Sequence, residues 1–182
     1  MKIIITSILF FLASFSFAQV VIQYDELESK NDTLVYKLSE KPFTGKAVMY
    51  FRSGKISTEC EYVNGISNGV ETIYLENGNI FMSSTLKNGK LHGVWKEWYE
   101  NGQLKSEVYY QDDYMFGLCT RWYENGKISE KGEHHHCKET GKWTYWHENG
   151  EKKSEGSYRE AEKIGRWIEW DEKGNIIKEE NF

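Results

Sequence analysis

From residue 45 onward, short runs rich in aromatic and β-branched residues, interspersed with polar ones, are cut by glycine at fixed intervals. The unit is clearest at Gly93-Val94-Trp95-Lys96-Glu97-Trp98-Tyr99-Glu100-Asn101-Gly102-Gln103-Leu104. Aromatic and β-branched residues flank the Asn-Gly, and the second half of the unit, Lys105 to Tyr110, reads as a return strand. This pattern predicts an outgoing strand, a hairpin turn and a return strand, with glycine supplying the positive φ that a tight turn demands. Asn-Gly recurs at 77–78, 101–102, 125–126 and 149–150, and Ser53-Gly54 and Lys173-Gly174 take its place in the end units. Asn64-Gly65 and Asn88-Gly89 then predict turns toward the next unit.

The period is strict. Glycines stand at 45, 69, 93, 117, 141 and 165, and again at 54, 78, 102, 126, 150 and 174, each set spaced by 24 residues. These sets hold 12 of the 16 glycines, so six units follow one another without insertion. The expected fold is all-β: an elongated single-layer antiparallel β-meander of six 24-residue hairpin repeats over 45–182. A lone hairpin is marginal in water, so each unit should depend on its neighbours. Two strands per unit advance such a sheet by ~10 Å, or roughly 60 Å over six units. Lys178, Glu179 and Glu180 would keep the last strand from pairing edge to edge.

Residues before 45 read differently. Met1-Lys2, the apolar run Ile3–Phe17 and Ser16-Phe17-Ala18 form the pattern of a secretory signal peptide over 1–18, cleaved before Gln19. The run is short for a membrane span of ~20 residues, and no other segment could cross as an apolar helix. Residues 19–44 are expected to cap the first repeat, with strands at Val20-Val21-Ile22 and Thr33-Leu34-Val35-Tyr36 joined through a turn at Asn31-Asp32. Export to the periplasm, the cell surface or the medium follows.

Composition narrows the function. Over 182 residues the formal charge is −5, and mild acidity argues against a nucleic-acid partner, which needs a concentrated basic surface. Aromatics at 15% argue against disorder. Cys60 and Cys119 fall about five strands apart, roughly 24 Å at ~4.8 Å per strand, too far for the ~7 Å that a disulfide allows. Cys137 also falls away from Cys119, so no intramolecular disulfide is expected.

Comparing units within the chain separates columns. Five residues after the first glycine stand Tyr50, Tyr74, Trp98, Trp122, Trp146 and Trp170, always a large aromatic, which reads as packing. Two residues after it stand Ala47, Glu71, Trp95, Cys119, Trp143 and Trp167, and six after it Phe51, Leu75, Tyr99, Tyr123, His147 and Asp171. In a regular strand these two columns share the opposite face. Their mixed character suits a surface that reads a partner, with Trp95, Tyr99, Tyr123, Trp143 and Trp167 as candidate contacts. Aromatic cover on both sides of a thin sheet is the other reading. A bulge at the turn would alter this register.

The pattern Gly-x-Trp-x-x-Trp-Tyr-Glu-Asn-Gly-x-Leu-x-x-Glu resembles the MORN-repeat variant of bacterial proteins over 43–182, and Lys41-Pro42-Phe43-Thr44-Gly45 is similar to the opening of such arrays. The resemblance implies an extended, curved single-layer β-array that makes protein contacts, with lipid contacts also proposed for such arrays. Many such proteins are held to be antitoxins of toxin–antitoxin systems.

Other motifs carry less. Gly65-Ile66-Ser67-Asn68-Gly69 fits a nucleophile elbow, but that chemistry needs a strand–turn–helix, whereas both glycines here belong to the repeat. The column Glu76, Glu100, Glu124, Glu148 and Glu172 spaces its carboxylates ~10 Å apart beside solvated turns, unsuited to paired acid–base work. His134-His135-His136-Cys137 is the sharpest departure from the repeat. It reads as a drifted, solvated turn; the alternative is that His134 and His136 share a strand face and, with Cys137, hold Zn²⁺ or Cu²⁺. No motif brings nucleophile, base and oxyanion donors together. The expectation is therefore an exported non-enzymatic scaffold, without cofactor, that binds another protein. An immunity protein against a secreted toxin is its specific form. The alternative is a glycan- or envelope-lipid-binding module using exposed Trp and Tyr.

Overall fold

Each 24-residue period folds as one hairpin, because its two strand-forming runs are joined by a turn whose positive φ glycine accommodates without strain. The computed structural model describes residues 20–182; the expected signal segment lies outside the described residues. The strands are β1 Val21–Gln23, β2 Leu27–Lys30, β3 Thr33–Tyr36, β4 Gly45–Tyr50, β5 Ile56–Val63, β6 Ile66–Tyr74, β7 Ile80–Lys87 and β8 Lys90–Trp98. They continue as β9 Leu104–Gln111, β10 Tyr114–Trp122, β11 Ile128–His135, β12 Lys138–Trp146, β13 Lys152–Arg159, β14 Glu162–Trp170 and β15 Ile176–Asn181. Thirteen of them form one sheet in the order β1-β4-β5 and then sequentially to β15. At ~4.8 Å per strand the twelve intervals span roughly 58 Å. The meander is antiparallel throughout β4–β15, as expected for the repeats, and at its N-terminal edge the cap strand β1 runs parallel to β4, Val21 opposite Lys46. β2 and β3 make a separate hairpin that lies against the first repeat.

The two rims of the sheet use different turns. On the Asn-Gly rim, Gly78 N–H donates to Leu75 O at 2.8 Å and Leu75 N–H to Asn79 O at 2.8 Å, with a register shift between Ile73 and Tyr74. Only the glycine of this Asn-Gly has positive φ, 96° at Gly78. The loop is thus longer than a two-residue turn and ends in a bulge. The opposite rim carries two-residue turns with both residues at positive φ, from Asn64 (51°) and Gly65 (78°) to His136 (50°) and Cys137 (64°), and Glu160 (52°) and Ala161 (71°). The first column of glycines has a third use. Ser84 faces Trp95 while Leu86 faces Leu91, so β8 bulges between them, at Gly93 with φ 121°.

Pairing across these bulges puts one row of side chains on one face: Ala47, Cys60, Glu71, Ser84, Trp95, Val108, Cys119, Gly132, Trp143, Gly156, Trp167 and Glu180. Large and small alternate along it. A Cβ at Gly132 would lie 2.2 Å from Trp143 Cδ2, and one at Gly156 2.1 Å from Trp167 Cδ2, so each indole lies flat over a glycine. Trp143 Nε1 donates to Glu133 O and Trp167 Nε1 to Ser157 O, both at 3.2 Å, which satisfies the buried indoles. The core is two clusters on this face rather than one. Val108, Cys119 and Trp143 hold the middle; Leu27, Leu34, Phe43 and Ala47 hold the N-terminal end, where the β2–β3 hairpin supplies the apolar cover.

Candidate functional site

Successive repeats are tied along the Asn-Gly rim by side chains that recur at the period. Tyr99 Oη donates to Trp122 O at 2.8 Å, Tyr123 Oη to Trp146 O at 2.6 Å, and His147 Nε2 to Trp170 O at 2.9 Å. The turn asparagines act at both ends. Asn101 Oδ1 accepts from Gln103 N–H at 2.8 Å and closes its own turn, while its Nδ2 donates to Glu124 O at 3.2 Å in the next repeat. Asn125 and Asn149 repeat both contacts. On the opposite rim Asp113 N–H donates to Leu91 O, Cys137 N–H to Met115 O and Ala161 N–H to Glu139 O, at 3.0–3.1 Å. Each such bond contributes about 0.5–1.5 kcal/mol net, and together they fix the offset between units.

This scaffold decides what the five candidate contacts can do. Trp143 is 2% exposed and Trp167 4%, so neither is presented to a partner. Tyr99 and Tyr123 lie past the ends of their strands, half-buried, with their hydroxyls committed to the next repeat. Trp95 is half-buried against the middle cluster. These five residues pack and tie the array; that corrects the expectation that their columns form a reading surface. The physical reason is the row's size alternation, which seats Trp143 and Trp167 over glycines. The always-aromatic column is correspondingly the less covered one: Trp98, Trp122, Trp146 and Trp170 are half-buried and Tyr50 is exposed.

The other face has a surface that the column comparison missed. Its neighbouring row reads Lys46, Glu61, Val70, Thr85, Val94, Tyr109, Leu118, Glu133, Lys142, Ser157, Arg166 and Asn181. In the middle of it Val70, Val94, Tyr109 and Leu118 are 48%, 40%, 40% and 58% exposed. With Thr85 between Val70 and Val94, they form a largely apolar strip across β6–β10, roughly 19 Å long. Charged residues bound it. Lys142 pairs with Glu155 at 2.9 Å and Arg166 with Glu179 at 2.7 Å, while Glu61 accepts from Val70 N–H at 3.0 Å. The signal was present in the sequence as the column one residue after the first glycine, apolar only in the three middle units that begin at Gly69, Gly93 and Gly117.

The family model for the MORN repeat variant matches residues 43–64, 91–112, 117–136, 139–160 and 163–182, more than half of the chain. The chain belongs to the MORN repeat variant family. Between the first two matched segments β6 and β7 keep the register of the other hairpins, so the MORN array runs unbroken. No curated protein matches the chain.

Within this MORN array the remaining candidates are placed as follows. His134 is buried edge-on to Trp143, ring centroids 5.1 Å apart, with Nδ1 unpartnered, and burial lowers its pKa below the ordinary value. His136 sits in the turn instead of on the strand, so the two do not share a face; His136 packs against Tyr114, Phe116 and His135. Among the described residues no group of three or more His, Cys, Asp or Glu is placed to hold a metal ion. The three cysteines are free; burial pushes the Cys60 thiol up to about 11 and also raises Cys119, whereas Cys137 is exposed. Ser67 lies on strand β6, between strand neighbours and far from an elbow geometry, since the one helical piece among the described residues is a 3₁₀ turn at Tyr24–Glu26. No helix among the described residues is long and apolar enough to cross a membrane.

Proposed function

We propose that this MORN protein is an exported, non-enzymatic scaffold that binds another protein across the exposed strip formed by Val70, Val94, Tyr109 and Leu118. The strip carries the reading: four apolar side chains stay in water on a rigid sheet whose rims and opposite face already hold the fold together. Contiguous exposed apolar area bounded by charge is what protein-contact surfaces present. Export rests on the apolar run Ile3–Phe17 and on Ser16-Phe17-Ala18. Capture and blocking of a toxic protein outside the cytosol is the specific form that the family resemblance suggests.

The test compares wild type with Val94→Lys/Leu118→Lys, immobilised and exposed to cross-linked native envelope extract. A protein retained by wild type and lost with the variant, at unchanged far-UV circular dichroism, is the expected result. Equal retention by both removes the strip from the proposal. Retention of polysaccharide or lipid in place of protein would support the glycan- or lipid-binding alternative. Intact-mass analysis of the extracytoplasmic fraction should find a chain that begins at Gln19.

A further inference from the structure

The packed row has a gap. From the N-terminal cap to the first indole, Trp95, it holds only Ala47, Cys60, Glu71 and Ser84, where three of the last four units place Trp. Leu27 and Leu34 of the β2–β3 hairpin cover Ala47, but they do not reach across the second unit. An open cavity of about 220 Å³ results, lined by Tyr24, Met49, Thr58, Cys60, Tyr62 and Glu71, with Ala47 at its base. Its chemistry is one-sided. Two phenol rings and a thioether form the walls, one carboxylate faces in, and the lining contains no Lys, Arg or His. Two other carboxylates of this face have basic partners: Glu97 pairs with Lys105 at 2.8 Å, and Glu130 pairs with Arg121. Glu71 has Ser84 Oγ, which donates to its Oε2 at 3.3 Å, and no basic side chain in an ion pair.

We propose that this cavity is a binding site for a small organic cation, a flat or alkyl ammonium about the size of an indole side chain. The apolar body fills the place that Trp takes elsewhere in the row. The ammonium meets the Glu71 carboxylate and the faces of Tyr24 and Tyr62, a charge-assisted hydrogen bond combined with a cation–π contact. Cys60 and Tyr62 stay neutral in the site, since burial raises both of their pKa values, and so add no competing charge. The site lies on the face opposite the protein-binding strip, and it stands or falls independently of that strip.

The test is calorimetric titration of the full chain with three probes that share one ring: tryptamine, neutral indole and indole-3-acetate. Tryptamine should bind, indole at least tenfold more weakly, and indole-3-acetate not at all. Glu71→Gln, which keeps size and the Ser84 contact, should lower tryptamine affinity at least tenfold while leaving indole unchanged. Glu71→Trp, which gives the second unit the side chain used later in the row, should abolish binding of both tryptamine and indole and leave the circular dichroism spectrum intact. Equal affinity for the three probes, full tryptamine affinity in Glu71→Gln, or no binding of tryptamine to wild type would each overturn the proposal.

Discussion

The alternation of large and small side chains across the packed row can be tested by exchanging one pair for another that the chain already uses. Trp143 lies over Gly132, whereas at the equivalent place one repeat earlier Cys119 faces Val108. Gly132→Val alone sets a Cβ 2.2 Å from the indole, and Gly132 does not have positive φ, so the cost is steric rather than conformational. Overpacking of this kind costs about 1–3 kcal/mol. Full expulsion of the indole would approach ~5 kcal/mol, from ~200 Å² of lost burial at ~25 cal/mol/Å². Trp143→Cys alone leaves bare glycine and a cavity, at about 3–5 kcal/mol. If the two positions are complementary, Gly132→Val/Trp143→Cys rebuilds the Val–Cys pair, and its loss should fall short of the summed single losses by about 1–3 kcal/mol. The Trp143 Nε1–Glu133 O bond is absent from both variants that lack the indole, so it cancels from this comparison. Urea unfolding monitored by circular dichroism gives the totals. Amide exchange in β11 and β12 gives the local values, which matter because a repeat array need not unfold in one step. Losses that simply add would show that the glycine and the indole are not a matched pair.

Two further outcomes follow from strained and buried groups. Glu160 and Ala161 hold φ of 52° and 71° in a turn that is Asn-Gly at 64–65 and 88–89, so Glu160→Asn/Ala161→Gly should stabilise the protein by about 1–2 kcal/mol in urea unfolding; an unchanged or lower midpoint would contradict the strain. His134 is held neutral by burial, so the folded chain takes up its proton at lower pH than the unfolded chain does. Its contribution is therefore fully present above about pH 6.5 and declines as the pH falls from there toward the lowered folded value. His134→Phe, the residue type of Phe182 in the same column, should flatten that part of the stability–pH curve, and an unaltered difference curve would place the titration elsewhere.

The repeat, its hairpins and the turns that carry glycine were legible in the sequence because glycine and Asn-Gly act locally, whereas the opposite-rim turns at Asp112-Asp113, His136-Cys137 and Glu160-Ala161 carry no such signal. The faces were not legible to the same degree. Counting by two from Gly93 puts Trp95 and Tyr99 on one side, but the strand ends at Trp98, and Tyr99 reaches sideways to the carbonyl of Trp122 instead. Nor does alternation tell which face is covered. Trp143 and Trp167 are buried because Gly132 and Gly156 come beneath them from the preceding hairpin, a cross-strand fact that appears only once the bulges set the register. In the His134–Cys137 segment, too, face-sharing depended on the register: His136 is in the turn and not on the strand.

The division of labour between the faces explains where variation within this one chain is tolerated. A repeat array gains its stability at unit–unit interfaces, and here those interfaces are the two rims and the row through Trp95, Trp143 and Trp167. A substitution there disturbs two units at once. The row through Val70, Val94 and Leu118 carries no such contact among its apolar side chains, and its equivalent positions in the first, fifth and sixth units are Lys46, Lys142 and Arg166. The fold therefore accepts either a cation or an aliphatic group at this column, so the aliphatic run in the middle units is not required by the sheet. Leaving Leu118 58% exposed forgoes a little over half of the roughly 1.5–3 kcal/mol that full burial of such a side chain provides, and burial against a partner is what would recover it.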